Sequence, residues 1–318
     1  MSNRPASVLA FLIAGAFLVS LVEPVRGAAP GGHAPAAPRN DYANLTFSTE
    51  LGAGLKQFYA RDFKAAGRSF EGALKIVPDN TLAISFLNAA AAQNEGDLDV
   101  LTNVEEDAVS GAPKNYVNHV RLAFSYLFES TGGRDRTQDA RDELNQAVNL
   151  DPEAPAAHVG LGIMRFNERS ANRAKTELQT ALHSDPNNVL AREYLCQLYQ
   201  SDLRDPQRAL AYAIDVPNLV PQYADIDFHI GSLLHDMHQY DAAVSYLNKG
   251  LALDVDHVGE AQHGYTLLAR IYIEQKKFGD ATRVLNTAIA SDVDTIYART
   301  LLARIKSGDY ASPSPSAS

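Results

Sequence analysis

A small–large–small pattern of apolar residues recurs along the chain and predicts a series of similar helices. In its clearest copy, Ala174, Leu178 and Ala181 follow one another at intervals of four and three residues, which places them on one face of a helix. The first interval between leading alanines is 74 residues, and the later ones are 34, 35, 34 and 38. Such a period indicates a stack of repeated helical units. The leading alanines are Ala66, Ala140, Ala174, Ala209, Ala243 and Ala281.

Each unit is predicted to contain a further helix ahead of its alanine. A large residue followed by a small one precedes the alanine by roughly a dozen residues, as in Leu161-Gly162 and Leu268-Ala269. Because small residues let two helices approach closely, the unit is predicted to be a helical hairpin. Proline stops one helix and can begin the next. The prolines that close units are Pro78, Pro113, Pro152, Pro186 and Pro221.

This combination resembles the tetratricopeptide repeat family, whose hairpin carries Leu-Gly in its first helix and then Ala, a large residue, Ala and a closing Pro. Residues 45–293 follow the pattern in about seven units, with a degenerate unit near 82–115 where Leu101 stands at the alanine position. The resemblance implies an all-α, right-handed α-solenoid of about seven helix-turn-helix repeats. Residues 295–306 are predicted to form a C-terminal capping helix. The alternative is an irregular helical bundle with accidental periodicity.

The N-terminal segment has the pattern of a secretory signal peptide. Residues 6–22 carry no charge, Arg4 precedes them, and small residues follow as far as Ala29. We therefore expect a signal peptide over 1–27, an Ala/Pro/Gly-rich linker over 28–43, the repeat solenoid over 44–308 and a disordered tail over 309–318. The expected location is exported and periplasmic. In the alternative, residues 6–22 remain as a membrane anchor.

The charge balance narrows the classes of partner. The chain has 28 basic and 38 acidic residues, a formal net charge of −10, so nucleic acid and anionic lipid surfaces are not expected partners. The expected partner is a protein or peptide, and membrane contact is expected only through an uncleaved N-terminal segment. No cofactor is predicted. The sequence leaves the oligomeric state open.

The histidines and the single cysteine were the candidates for chemistry. His229, His235 and His238 lie close in sequence, and imidazole binds divalent metals, yet the His-Glu-x-x-His spacing of metallopeptidases is absent. Surface histidines on a polar face explain the group without a metal. Cys196 occupies a small-residue position within a first helix, which favours a packed core thiol. The sequence therefore predicts no catalytic residue, no metal site and no enzymatic activity.

In proteins that resemble this chain, the first helices line a concave groove that accepts a peptide or helix. The offset from the small mid-helix residue assigns candidate groove residues, apolar and aromatic in the N-terminal half and polar in the C-terminal half. An aromatic stripe at helical spacing can equally be core, and that alternative stays open. The candidates are Leu55, Phe58, Tyr59, Phe124, Phe128 and Phe166, followed by Glu193, Gln197, His229, His235 and Arg270.

These observations predict an exported scaffold or adaptor that binds a protein or peptide partner along its concave groove. The alternative function is a structural subunit of an envelope assembly, a secretion machine or a polysaccharide-export complex. That alternative predicts an exposed patch on the convex face or at the C-terminal cap. A metal-dependent function would require His229, His235 and His238 to converge.

Overall fold

The computed structural model describes residues 40–256, 261–291 and 295–308, and all regular secondary structure in these ranges is helical. The signal-peptide prediction over 1–27, linker residues 28–39 and the tail over 309–318 lie outside the described residues and stay predictions. Linker residues Asp41–Ala43 form a 3-10 turn. The α-helices are α1 Leu45–Tyr59, α2 Phe63–Ile76, α3 Thr81–Ala92, α4 Asp97–Gly111, α5 Tyr116–Thr131, α6 Thr137–Leu150, α7 Pro155–Asn167, α8 Ala171–Ser184, α9 Val189–Ser201, α10 Pro206–Ala213, α11 Val216–Leu219, α12 Ala224–Asp236, α13 Tyr240–Leu253, α14 Ala261–Glu274, α15 Phe278–Ala290 and α16 Thr295–Ser307.

The described helices pack as successive pairs, which confirms the predicted solenoid of helix-turn-helix units. Between successive pairs, α2 packs on α3, α4 on α5, α6 on α7, α8 on α9 and α13 on α14, so these helices bury apolar surface against a neighbouring pair. In the fifth pair the second helix is split into α10 and α11. Pro217 lies at the start of α11 and has no backbone N–H to continue the ladder. Helix α16 packs on α15 as the predicted cap.

The chain divides into two compact units. Within the described residues, unit 1 comprises residues 40–58 and 62–220, and unit 2 comprises residues 59–61 and 221–308. No helix in these ranges is both long and apolar enough to cross a membrane.

Large and small residues interlock between paired helices in unit 1, as the repeat pattern predicts. A Cβ added at Gly162 in α7 would lie 2.7 Å from Cγ and Cδ2 of Leu178 in α8. A Cβ added at Gly54 in α1 would likewise lie 2.5 Å from the nearest ring carbon of Phe70 in α2. The leucine and phenylalanine fill the space that the missing side chains leave, so these helices approach closely.

The same interlock holds unit 2 together. A Cβ at Gly231 in α12 would lie 2.7 Å from Cγ and Cδ2 of Leu247 in α13. Ala243 and Leu247 are fully buried, and Ala281, Leu285 and Ala288 repeat the pattern one pair later. The periodic residues read from the sequence are therefore the core contacts of both units.

Asparagine side chains start several first helices. Asn80 and Asn188 accept hydrogen bonds from the backbone N–H groups of Ala83 and Ala191, which would otherwise lack partners at the helix start. Each follows a proline by two residues. Asp185 lies directly after the last residue of α8.

Candidate functional site

The first helices α3, α5, α7 and α9 of unit 1 are buried along most of their length. Every residue of α3 from Thr81 to Ala90 is buried, and α5, α7 and α9 have similarly long buried runs. The predicted groove residues of α1 and α5 therefore lie in the core in this structure, and Phe166 is half-buried against Tyr194. An exposed aromatic stripe is not present along α1 and α5. The buried groove residues of these two helices are Leu55, Phe58, Tyr59, Phe124 and Phe128.

Polar contacts between first helices explain part of this burial. Thr81 Oγ1, at the start of α3, donates to Asn188 Oδ1, before α9, at 3.1 Å, although the two are 107 residues apart. Ser125 Oγ in α5 donates to Asn88 Oδ1 in α3 at 2.9 Å. First helices of different pairs thus meet directly, which leaves little open surface between them.

The polar groove candidates of α9 are also buried. Glu193 is 1% exposed, and Gln197 Nε2 donates to Glu193 Oε1 at 3.2 Å. Burial, and then the negative charge of Glu193, raise the pKa of Cys196 far above that of a free thiol. Cys196 is therefore a protonated core thiol, as the helical pattern predicts. The role of Glu193 and Gln197 in partner binding stays a prediction.

In unit 2 the three predicted residues are placed differently. His229 is buried, His235 is half-buried and Arg270 is exposed. His235 Nε2 lies 3.2 Å from Glu274 Oε2, and the hydrogen bond to Asp236 and the contact with Glu274 raise the pKa of His235. Among the described residues no three histidine, cysteine or acidic side chains gather as a metal site. His257 lies outside those residues.

Two other histidines lie inside unit 1 at equivalent places in successive pairs. His119 Nδ1 is 2.5 Å from Glu143 Oε2, and His158 Nδ1 is 2.8 Å from Glu177 Oε2. In each case Nε2 contacts the carbonyl oxygen of the preceding unit's proline. The hydrogen bond to Glu177 raises the pKa of His158. These histidines tie a first helix to its turn and to its second helix, and sequence reasoning missed them.

Helix α4 departs from the pattern of the other second helices. Its buried residues are Thr102 and Glu105, where α2 buries Ala66, Phe70, Ala73 and Leu74. Leu101, at the alanine position, is only half-buried. Glu105 stands where most of the other second helices have a leucine or phenylalanine, and a carboxylate cannot provide the same apolar packing. Val100 and Val104 of α4 face outward.

Glu105 keeps its buried position through Arg121 of α5. Arg121 Nε and Nη2 donate to Glu105 Oε1 at 2.9 and 2.7 Å. Burial raises the pKa of Glu105, Arg121 opposes that shift, and the nearby charge of Glu71 adds to it. This ion pair thus connects α4 to α5, the first helix of the next pair, at a position where the repeat pattern has an apolar side chain.

The result is an open cleft on unit 1 with a volume of about 510 Å³. We call it the α2–α4 cleft. Val100 and Val104 are 62% and 56% exposed, and α3 contributes an apolar floor between the two second helices. Its lining comprises Phe63, Lys64, Gly67, Arg68, Glu71, Leu74 and Lys75 of α2, Leu87, Ala90 and Ala91 of α3, Asn94, Asp97, Val100, Leu101 and Val104 of the following segment and α4, and Arg121 of α5.

The charges around this cleft are mainly positive, against the negative charge of the chain. Lys64, Arg68 and Lys75 are exposed and follow one face of α2. None of the three makes a hydrogen bond or ion pair with any residue that the structure describes. The sequence signal for this site is the departure of the 82–115 repeat from the pattern, with Leu101 at the alanine position.

Comparison with known proteins supports the repeat assignment. The tetratricopeptide repeat family model matches residues 234–305. The type IV pilus assembly protein PilF of Pseudomonas aeruginosa is 26% identical over 167 residues, which is 51% of this chain. The chain spans 64% of the length of that relative.

Solved structures place the chain among helical repeat folds. Human IFIT1 bound to m7Gppp-AAAA superposes with a TM-score of 0.55 at 15% identity, over 76% of this chain and 58% of that one. A structure of Pseudomonas aeruginosa pilF has a TM-score of 0.49 at 14% identity, over 81% of this chain and 97% of that one. At such identities the likeness concerns the fold alone. The family match over residues 234–305 and the paired helices agree with the repeat pattern of the sequence.

Proposed function

We propose that this chain is an exported scaffold that binds a protein partner and catalyses no reaction of its own. The observation that carries the proposal is the α2–α4 cleft, where two exposed valines lie beside cations with no partner in the described structure. Exposed apolar surface with a polar rim is typical of interaction sites. Tetratricopeptide repeat proteins mediate protein–protein interaction, which agrees with this use of the fold.

Export is supported by the sequence of the N-terminal segment. Residues 6–22 are uncharged, and the small residues suited to cleavage, Gly27, Ala28 and Ala29, lie a few residues further on. N-terminal sequencing of the protein recovered from its native envelope tests this part. A mature chain that begins after Gly27 or Ala29 is expected, and a chain that retains residues 6–22 would support the membrane anchor instead.

The concave groove stays a prediction for a second interface of the same scaffold. Phe166 and His235 are half-buried and Arg270 is exposed, so each keeps some surface that a partner could contact. The buried candidates on α1 and α5 could contribute only if the first helices separated. The cleft therefore has better geometric support than the groove.

Affinity capture from the native envelope, followed by mass spectrometry, separates the two interfaces. We expect a partner that wild type retains and that Val100→Ser/Val104→Ser loses. A partner lost instead by Phe166→Ala/His235→Ala/Arg270→Ala would place the interface on the first helices. No specific partner for wild type would contradict the scaffold proposal.

A structural subunit of an envelope assembly is the second candidate function. The similarity to a pilus assembly protein favours it. Native gel analysis of solubilised envelopes distinguishes the two. A structural subunit is expected in one stable complex of fixed size, whereas an adaptor is expected to exchange between free and bound forms.

A further inference from the structure

We propose that the α2–α4 cleft binds an acidic amphipathic helix of about three turns, supplied by a protein partner. This inference rests on the proposed scaffold function and gives the chemistry of the partner segment. The cleft lies within unit 1, and the residues that line it belong to the described part of that unit.

The length of the occupant follows from α2. Lys64 and Lys75 mark the two ends of the cationic face and are eleven residues apart, about 16 Å along a helix at 1.5 Å per residue. Arg68 lies between them, one turn beyond Lys64. A helix laid along this face would meet the three cations over about three turns of its own.

The apolar part of the occupant follows from the opposite wall and the floor. Val100 and Val104 are one turn apart on α4, and Leu87 of α3 lines the same cleft. Apolar side chains at intervals of three and four residues would fill this strip from a docked helix. They would cover valine surface that now faces solvent, which favours binding.

The acidic part follows from the unpaired cations. Lys64, Arg68 and Lys75 form no ion pair in the described structure, and Arg121, already bound to Glu105, adds positive charge at the lining. The opposing charges in the lining are Glu71 and Asp97. Carboxylates on the flank of the occupant would therefore find cations ready to pair, which steers association and sets orientation.

The shape of the site argues against two other occupants. An anionic membrane offers a flat surface, which cannot reach an apolar floor recessed between two helices. Two copies of the chain would each carry a net charge of −10, and the repulsion between them opposes association. Both occupants are nevertheless distinguished by the experiment.

The test uses the purified full chain and a fluorescein-labelled helical peptide of about 14 residues, with leucines on one face and glutamates on its flanks. Fluorescence anisotropy is measured against a peptide with lysine in place of each glutamate. We expect saturable binding of the acidic peptide at about micromolar to 100 micromolar Kd, as suits a small interface. Raising the salt concentration should weaken it.

Variants assign the binding to the cleft. Two double variants, Arg68→Glu/Lys75→Glu and Val100→Ser/Val104→Ser, should each raise the Kd for the acidic peptide by about tenfold or more. The control Arg173→Glu/Lys175→Glu makes the same charge change on α8, at cations that also lack partners in the described structure. It should leave the Kd within about twofold. Circular dichroism confirms that each variant is folded.

Several outcomes would overturn the inference. These are equal binding of the lysine peptide, affinity unchanged in the cleft variants, or no binding by folded wild type. If the chain fails to bind the peptide but sediments with anionic vesicles, and the cleft variants lose that sedimentation, the cleft is a lipid-binding surface. Cleft-dependent dimerisation in analytical ultracentrifugation would assign it to a second copy. If envelope capture still recovers a partner while the peptide fails, the scaffold function stands and only this inference falls.

Discussion

The contact between Gly162 and Leu178 predicts that the effect of Gly162→Ala on the free energy of unfolding changes sign when Leu178 is also replaced by alanine. In the wild-type chain, a Cβ at position 162 would lie 2.7 Å from two leucine carbons, closer than real Cβ contacts allow. Gly162→Ala should gain about 1 kcal/mol of helix propensity but lose about 1–3 kcal/mol to overpacking. We therefore expect a net destabilisation of about 1 kcal/mol.

Removing the leucine reverses this expectation. Leu178 is fully buried, so Leu178→Ala should cost about 2–5 kcal/mol through the cavity that it leaves. In that background the methyl of Gly162→Ala enters free space and should stabilise by about 1 kcal/mol. The coupling energy between the two sites is then about 2 kcal/mol.

Urea unfolding followed by circular dichroism at 222 nm measures all four chains, and a constant m-value checks that they unfold alike. Gly67→Ala is the matched control, because its Cβ would lie 3.9 Å from Leu87 Cδ1, an ordinary contact. It should stabilise by about 0.5–1 kcal/mol. An equal effect of Gly162→Ala in both backgrounds would refute the interlocking of small and large residues.

Three further predictions concern titratable groups. Cys196 should resist iodoacetamide in the native chain at pH 8 and react on unfolding in urea; mass spectrometry of the native sample showing rapid labelling would contradict its burial. His158 has a raised pKa through Glu177, so its contribution to stability is complete below its unfolded pKa and is lost as pH rises through the folded value. His158→Gln should thus lower the urea midpoint more at about pH 5 than at about pH 9, and an equal loss would refute the pairing. Asp227 is fully buried beside Lys249, and burial raises its pKa to about 6, so its contribution is lost as pH rises through about 6. Relative to Asp227→Asn, wild type should gain stability as the pH falls below 6, and parallel pH curves of the two chains would contradict this.

The helical pairs were predictable because their packing depends on local spacing. The intervals between Ala174, Leu178 and Ala181 predict a buried helix face, and Gly162 indicates the helix that packs against it. Such contacts lie within one hairpin, so the sequence pattern reports them directly. The capping helix followed from the same reasoning applied to the last described segment.

The covering of the first helices could not be predicted in the same way. Phe124 and Phe128 have a spacing that suits either a groove or a core, and the choice depends on contacts between different pairs. The hydrogen bond from Thr81 to Asn188 is one such contact, across 107 residues. Repeat spacing carries no information about how closely distant first helices approach.

The cleft was partly predictable. Leu101 at an alanine position marks α4 as irregular, and Glu105 at a leucine position shows that the usual apolar contact is missing. The outward placement of Val100 and Val104 accompanies the pairing of Glu105 with Arg121, in which a carboxylate takes the buried position on α4. That pairing joins two successive helical pairs, so no single repeat reveals it.

Photo-crosslinking within the native envelope tests the central claim, that this repeat protein holds a partner in the α2–α4 cleft. A photo-reactive side chain is placed at position 100, and at position 173 on α8 as the control. We predict a crosslink from position 100 alone, mapped by mass spectrometry to an acidic segment of another protein with apolar residues at helical spacing. Equal crosslinking from both positions, or none from position 100 in a folded and exported chain, would contradict the account.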